Sequence, residues 1–434
     1  MAMNRAKLKK GEKRLLVGTT GLAALFVTAG VWWQAANATP VLNIPTPAMP
    51  SPNAFDFYAK AGQAQVAANP PVDRVHDNTA PVSAPDSPQE LARRYPTAAK
   101  EAWLRRNAPA LQLLRQGFAS EYRHPPASRL SIAFSHYGSF RELARLLVVE
   151  SHARAERGNW AGASHSALDI LHLGNDIPRG GPLMAALVGY AVQAIGRKEL
   201  WIAVPHLDAR AARKAAVRLE RLVERRVSCA DTLQEDKWLG QTLLLQAMRD
   251  RGWRWNLYPK TASWRDRLRS VFMTNRTVMD NYSKRMDMMI ANARRPYAAQ
   301  PSLSPPSDPY TAMVAPDFDS TRWSAARNET ANVLLLVSLA LRAYHLDRGA
   351  YPNRLSELVP TYLKRVPDDP FGAGGPLIYR RTGDANTLYS IGPDGKDNGG
   401  KAIEDPSEPR DRPRRYFVQP DSQGDVVAGV NKWQ

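Results

Sequence analysis

SFRELARLLVVESHARAERGNWAGASHSALDILHL, residues 139–173, decides the fold class of this chain. Apolar residues recur in it with a helical period, and Gly158-Asn159-Trp160 interrupts them as a turn between two helices. In the second half Ala163, Ala167 and Ile170 mark one helix face. Working outward, residues 182–204, 208–227, 232–249 and 263–294 also read as helices, and strand-type alternation is almost missing. Residues 91–295 are therefore expected to be an all-α domain, and the chain as a whole mainly α.

Small residues at this spacing after a glycine turn resemble the second helix of a tetratricopeptide repeat. The resemblance covers one hairpin, since no second copy recurs near the repeat's period, and a generic helical hairpin accounts for it. Asp208 is a suitable N-cap for a helix with two stripes: Lys214, Arg218, Arg221 and Arg225 on one, Ala212, Ala216, Leu219 and Val223 on the other. The basic stripe reads as a solvated face or as a contact for anionic headgroups or an acidic partner. In the 263–294 helix, Leu268, Phe272, Met279, Tyr282, Met286, Met289 and Ala293 form an apolar seam, read as core. The single cysteine, Cys229, excludes an intrachain disulfide and reads as a small apolar residue.

A formal charge of +18 over 434 residues points to anionic partners. Part of it is the cluster Arg5, Lys7, Lys9, Lys10, Lys13 and Arg14, which precedes an uncharged apolar run at 15–33. The expected arrangement is a cytoplasmic basic segment at 1–14, a transmembrane anchor at 15–33, and everything beyond it outside the cytoplasm. A signal peptide cleaved near Ala38 is the alternative, because Ala36-Asn37-Ala38 has the small-x-small form. Both readings put the bulk of the chain in the periplasm or outside the cell, where no nucleic-acid partner is expected. Prolines crowd 34–90, read as a stalk with a short helix at 53–65 docking through Phe55, Phe57 and Tyr58, and crowd again in 296–321, read as a linker.

Candidate chemistry is sparse. His165, Asp169 and His172, at i, i+4 and i+7, share a helix face where metal ligands would converge. Glu150 and His152 on the preceding helix diverge by about 200°, and no His-Glu-x-x-His signature is present. A solvated polar face is the expectation. Nucleophile-elbow, phosphate-loop and dinucleotide motifs are also missing, which favours a non-enzymatic role.

Residues 322–434 carry a more specific order. A long helix through Val333 and Leu341 ends at Gly349, followed by Tyr351-Pro352; Asn353 caps a short helix; Asp369-Pro370-Phe371-Gly372 leads into strands at 377–381 and 387–391 joined through Gly383-Asp384; then comes Ser390-Ile391-Gly392-Pro393-Asp394-Gly395. This order resembles the major pseudopilin of type II secretion systems, across about a quarter of the chain. The resemblance implies a small α+β head and a calcium loop in which Asp394 is a ligand, with Asp397, Asn398, Glu404, Asp405 and the carbonyls of Leu388 and Ser390 as neighbours able to complete an oxygen shell. The N-terminus departs from the family, having neither its leader site nor an acid in the apolar run. The function expected is an anchored scaffold or assembly protein with envelope or secretion partners. The alternatives are an exported enzyme with a site in the α domain and a binder of anionic envelope surfaces.

Overall fold

The computed structural model describes residues 28–68, 96–126, 136–250, 252–254, 273–306, 308–404 and 418–431. In order, the helices are α1 (Ala54–Ala68), α2 (Thr97–Arg106), α3 (Ala108–Gly117), α4 (Tyr137–Glu156), α5 (Trp160–Asp176), α6 (Leu183–Ala203), α7 (Ala209–Glu224), α8 (Cys229–Ala247), α9 (Asn275–Ala293), α10 (Pro309–Val314) and α11 (Phe318–Arg348). Three antiparallel strands, β1 (Ile378–Thr382), β2 (Ala385–Ser390) and β3 (Val426–Val427), follow in that order across one sheet. Two compact units result: Met1–Pro45, Lys237–Asp287 and Ser304–Pro316 form one; Thr46–Asp236, Met288–Leu303 and Asp317–Gln434 form the other.

In the larger unit the quoted hairpin is α4 and α5. Asn159 caps α5 by accepting from the Gly162 N–H at 2.8 Å, and Gly158 takes the positive φ of 75° that closes the turn. α5 lies between two cores. Ile170 and Leu173 pack with Tyr58, Leu114, Phe140 and Leu147. Leu168 and Leu171 pack with Leu200, Leu219 and the apolar run Val333–Leu341 of α11. α5 and α6 cross on glycines: a Cβ on Gly174 would stand 2.8 Å from the Gly189 carbonyl oxygen, and one on Gly189 2.6 Å from that of Gly174.

The second of these cores continues into the sheet through Phe371, Leu388, Ile403 and Val426. The linker drawn at 296–321 therefore does not separate two cores. Tyr297, inside it, packs edge-on against Phe371 at 5.0 Å between ring centres, and Arg322 lies over Tyr297 at 4.8 Å. α11 stops at Gly349, whose φ of 74° lets its N–H reach the His345 carbonyl at 2.8 Å. Strand register pairs Ile378 with Tyr389 and Tyr389 with Val427.

In the smaller unit, helical residues 28–37 end at Asn37, whose Oδ1 accepts from Arg254 at 2.7 Å and whose carbonyl accepts from the Asn275 amide at 2.7 Å. The Trp253 and Tyr310 rings lie nearby, 4.9 Å apart and tilted by 50°, and Gly240 faces the Tyr282 hydroxyl.

The expected fold class needs one correction: no helix among the described residues is long and apolar enough to cross a membrane. Of the expected anchor, residues 15–27 lie outside the described residues, as does the basic segment 1–14. The described end does not stop at the paired tryptophans; it runs on to Asn37, and there polar side chains of the same unit hold it. The nine-residue apolar centre of α11 is packed against protein. The stalk is also shorter than expected: α1 begins at Ala54, with Phe55 and Tyr58 buried, and 69–95 lie outside the described residues.

Candidate functional site

One face of α5 carries His165, Asp169, His172 and Asp176, which is the pattern His-x-x-x-Asp written twice. At i, i+4, i+7 and i+11 all four side chains leave the helix on the same side, where α3, α4 and α7 cross it. Asp169 is buried and receives two guanidiniums: Arg218 Nη2 on Oδ1 at 2.6 Å and Arg115 Nε on Oδ2 at 3.3 Å. Glu150, from α4, is likewise buried and accepts from Arg115 at 2.6 Å, Arg154 at 2.9 Å and the Ser166 hydroxyl at 2.7 Å. Three arginines thus share two carboxylates and leave one positive charge in excess. The guanidiniums are the outer layer, with Arg115, Arg154 and Arg218 side chains 35%, 30% and 26% exposed.

His165 sits at the rim, its Nε2 3.8 Å from Asp169 Oδ1 and its carbonyl accepting from Arg218. Burial pushes its pKa down, and the Arg218, Arg154 and Arg115 charges add to this against the opposing pull of Asp169. One heptad on, His172 Nε2 is 3.6 Å from Asp176 Oδ2, and its ring stacks on Phe118 at 4.5 Å. Burial lowers His172 and raises Asp176, which also accepts the Tyr58 hydroxyl at 2.6 Å. Arg179 lies 3.5 Å from Asp176 and donates to the Arg225 carbonyl, so the arginines form a continuous band toward the end of α7.

α7 presents the sequence-predicted stripe outward. Lys214, Arg221 and Arg225 are exposed, Arg218 folds back onto α5, and Ala212, Ala216 and Leu219 are buried on the other side. Asp208 caps the helix through the Ala211 N–H at 2.7 Å. Lys214, Arg221 and Arg225 have no carboxylate partner among the described residues.

The metal reading does not hold for the α5 face, because guanidiniums occupy its carboxylates; among the described residues no group of three or more His, Cys, Asp or Glu is placed to hold a metal ion. As the helical geometry requires, Glu150 and His152 point apart, and His152 Nε2 instead lies 3.0 Å from Glu199 Oε2 on α6. Sequence reasoning missed Asp176, Arg115 and Arg154, and read Tyr58 only as a docking aromatic, not as the donor to Asp176. The repeated His-x-x-x-Asp was the available signal for Asp176, whereas Arg115 and Tyr58 come from segments far away in sequence.

The described residues expected to hold calcium are engaged in hydrogen bonds of the fold itself. The Leu388 carbonyl accepts from Ala428 in the sheet at 2.9 Å. Ser390 Oγ donates to buried Asp369 at 2.6 Å, and Asp369 also takes the Phe371 and Ile391 N–H groups, which fastens the Asp369–Gly372 turn to β2. Asp397 accepts from Tyr389 at 2.9 Å and Gly399 at 2.8 Å and faces Arg380. Asp394 and Asn398 bond each other at 3.2 Å, and Asn398 also donates from its backbone to Asp425, a residue not anticipated from the sequence. Glu404 is described and Asp405 lies outside the described residues. Calcium needs six to eight oxygens converging on one point; among the described residues, which do not include Asp405, no group of three or more His, Cys, Asp or Glu is placed to hold a metal ion.

Compared with family models, curated proteins and solved structures, the chain matches none of them.

Proposed function

We infer that this chain is a non-catalytic assembly or scaffold protein that binds an acidic protein segment on the basic band formed by α7 and the α5 face. The carrying observation is the stripe Lys214, Arg221 and Arg225, exposed on α7 and continuous through Arg218 with the Arg115 and Arg154 guanidiniums. Arginine forks match carboxylates in two-pronged geometry, and a band of like charge steers an anionic partner toward itself. General acid–base chemistry is a poorer use of the site. Glu150 and Asp169 each accept from two guanidiniums, which occupies their lone pairs.

A labelled decaglutamate peptide titrated into the full chain tests this reading. The triple substitution Lys214→Glu, Arg221→Glu and Arg225→Glu, which leaves the buried network untouched, is expected to weaken binding by about tenfold or more. Equal affinity of the two proteins sinks the proposal, as does tight binding to vesicles of anionic lipid with none to the peptide.

A further inference from the structure

The smaller unit carries a surface of a different kind at residues 28–45. Of these, 28–37 are helical, and in that helix only Ala36 is buried. Val31, Trp32 and Trp33 are 62%, 65% and 39% exposed, and Val41 just beyond the helix is 99% exposed. The segment is fastened at Asn37. Besides the bonds that Asn37 accepts from Arg254 and Asn275, Arg254 donates to Asn275 Oδ1 at 2.7 Å, so the three side chains form one clamp. The Asn37 amide donates back to the Trp33 carbonyl at 2.9 Å, which holds the last helical turn. Two neighbouring indoles are therefore presented to solvent on a helix whose end is fixed to the unit.

Most of a helix's stability in water comes from packing one face against other groups, and here one alanine supplies it. Each tryptophan also keeps a large apolar ring wet, which a covering surface would relieve. Charge identifies the kind of surface. From Leu15 to Phe55 the sequence contains no Asp, Glu, Lys, Arg or His, whereas Arg5, Lys7, Lys9, Lys10, Lys13 and Arg14 precede it with a single acid, Glu12. Protein interfaces are rimmed by polar and charged groups. A long uncharged stretch holding paired tryptophans, flanked by a basic cluster, instead matches a bilayer: indoles settle at the headgroup level, and lysines and arginines are attracted to anionic headgroups.

We propose that residues 28–45 rest on a phospholipid bilayer, with Trp32 and Trp33 as the interfacial anchors and Val31 and Val41 adding apolar contact. The contact lies at the headgroup and acyl boundary and does not span the membrane. Its free energy comes from apolar area removed from water, so it holds on lipids without net charge. It is distinct from the exposed basic band on α7 and does not depend on it.

The experiment uses the full chain and vesicles of phosphatidylcholine, whose lack of net charge keeps the α7 band out of the measurement. The chain is expected to sediment with the vesicles, and brominated acyl chains are expected to quench its indole fluorescence. Trp32→Phe/Trp33→Phe should lose most of that quenching. Trp32→Glu/Trp33→Glu should lower partitioning into the vesicles by about tenfold or more, because binding scales with the apolar area buried. Both side chains face solvent, so thermal unfolding of these variants should match the parent. Lys214→Glu/Arg221→Glu/Arg225→Glu should partition like the parent, which separates this contact from the acidic-segment reading. A chain that does not sediment with the vesicles, quenching that persists in the Phe variant, or partitioning unchanged in the Glu variant would each overturn the proposal. So would a parent that is dimeric without lipid beside a monomeric Glu variant, since that assigns the surface to a second copy of the chain.

Discussion

Asp169 shows how a single residue type at a helical interval takes its meaning from distant partners. From sequence it is a polar residue at i+4 from His165, compatible with a solvated face. In the fold it is buried, because Arg115 on α3 and Arg218 on α7 reach it from opposite sides. Replacing it with Asn removes the charge and leaves two guanidiniums competing for one oxygen, at a cost of about 2–3 kcal/mol. Urea denaturation measures this; a midpoint within error of the parent would show that the network is not held by Asp169. The neighbouring histidines supply a pH dependence with a definite sign. Burial lowers His165 and His172 in the folded state, so the unfolded chain binds more protons than the folded one in the acidic range. The stability they contribute is fully present above the ordinary imidazole value of about 6.5 and is lost as pH falls through their folded values. Asp176, raised by burial, acts in the opposite sense: its contribution is complete below its ordinary value of 3.8 and lost as pH rises through its folded value. Between pH 7.5 and 5.5 the urea midpoint should therefore fall. His172→Phe, which can keep the stack on Phe118, should make that fall shallower; an unchanged slope would remove His172 from the explanation.

The elements legible in the sequence were those with a long helical period. The helices read at 139–157, 160–173, 182–204 and 208–227 are observed as α4 to α7 with ends shifted by three residues or fewer. Those not read, α2, α3 and α10, are short, and Pro109 was no warning sign, because it sits in the first turn of α3, where a missing N–H costs nothing. β3 is two residues long and gives no alternation to read. The glycine crossing of α5 and α6 also had no sequence signature. Gly174 and Gly189 let α5 and α6 approach until each would-be Cβ meets the other's carbonyl oxygen. Gly189→Ala should force the helices apart at about 1–3 kcal/mol. If the variant is as stable as the parent, the crossing is looser than the geometry states.

At the scale of the whole molecule the proline-rich stretches were read as boundaries; unit boundaries do fall in them, at 45/46, 303/304 and 316/317, but the second stretch does not separate the core of the α domain from that of the C-terminal module. Proline fixes φ and removes a donor, which marks irregular backbone but does not tell an extended linker from a packed strap. The C-terminal module is tied to α7 by polar contacts as well as by the shared core. Glu220 accepts from the Lys364 N–H at 2.8 Å, Lys364 pairs with Glu224 at 2.7 Å, and Arg213 bridges to Asp347, which also accepts the Tyr362 hydroxyl at 2.9 Å. A chain ending at 316 would expose the buried side of α7, including Ala212, Ala216 and Leu219. It should lose cooperative unfolding and aggregate; a soluble, cooperatively folding fragment would restore the domain boundary that the sequence suggested. Within the module Asp369 latches onto Ser390, and Phe371 lies in the core.

These scales converge on one claim, that the exposed band of α7 receives carboxylates. Carbodiimide coupling tests it most directly, because it joins a peptide glutamate to a lysine only where the two are in contact. With decaglutamate and the full chain, Lys214 is predicted to be the principal site of amide formation, and Arg221→Glu/Arg225→Glu should suppress that adduct while leaving adducts at other lysines unchanged. Adducts spread evenly over the lysines, with Lys214 no more reactive than the rest and indifferent to the two substitutions, would contradict the account.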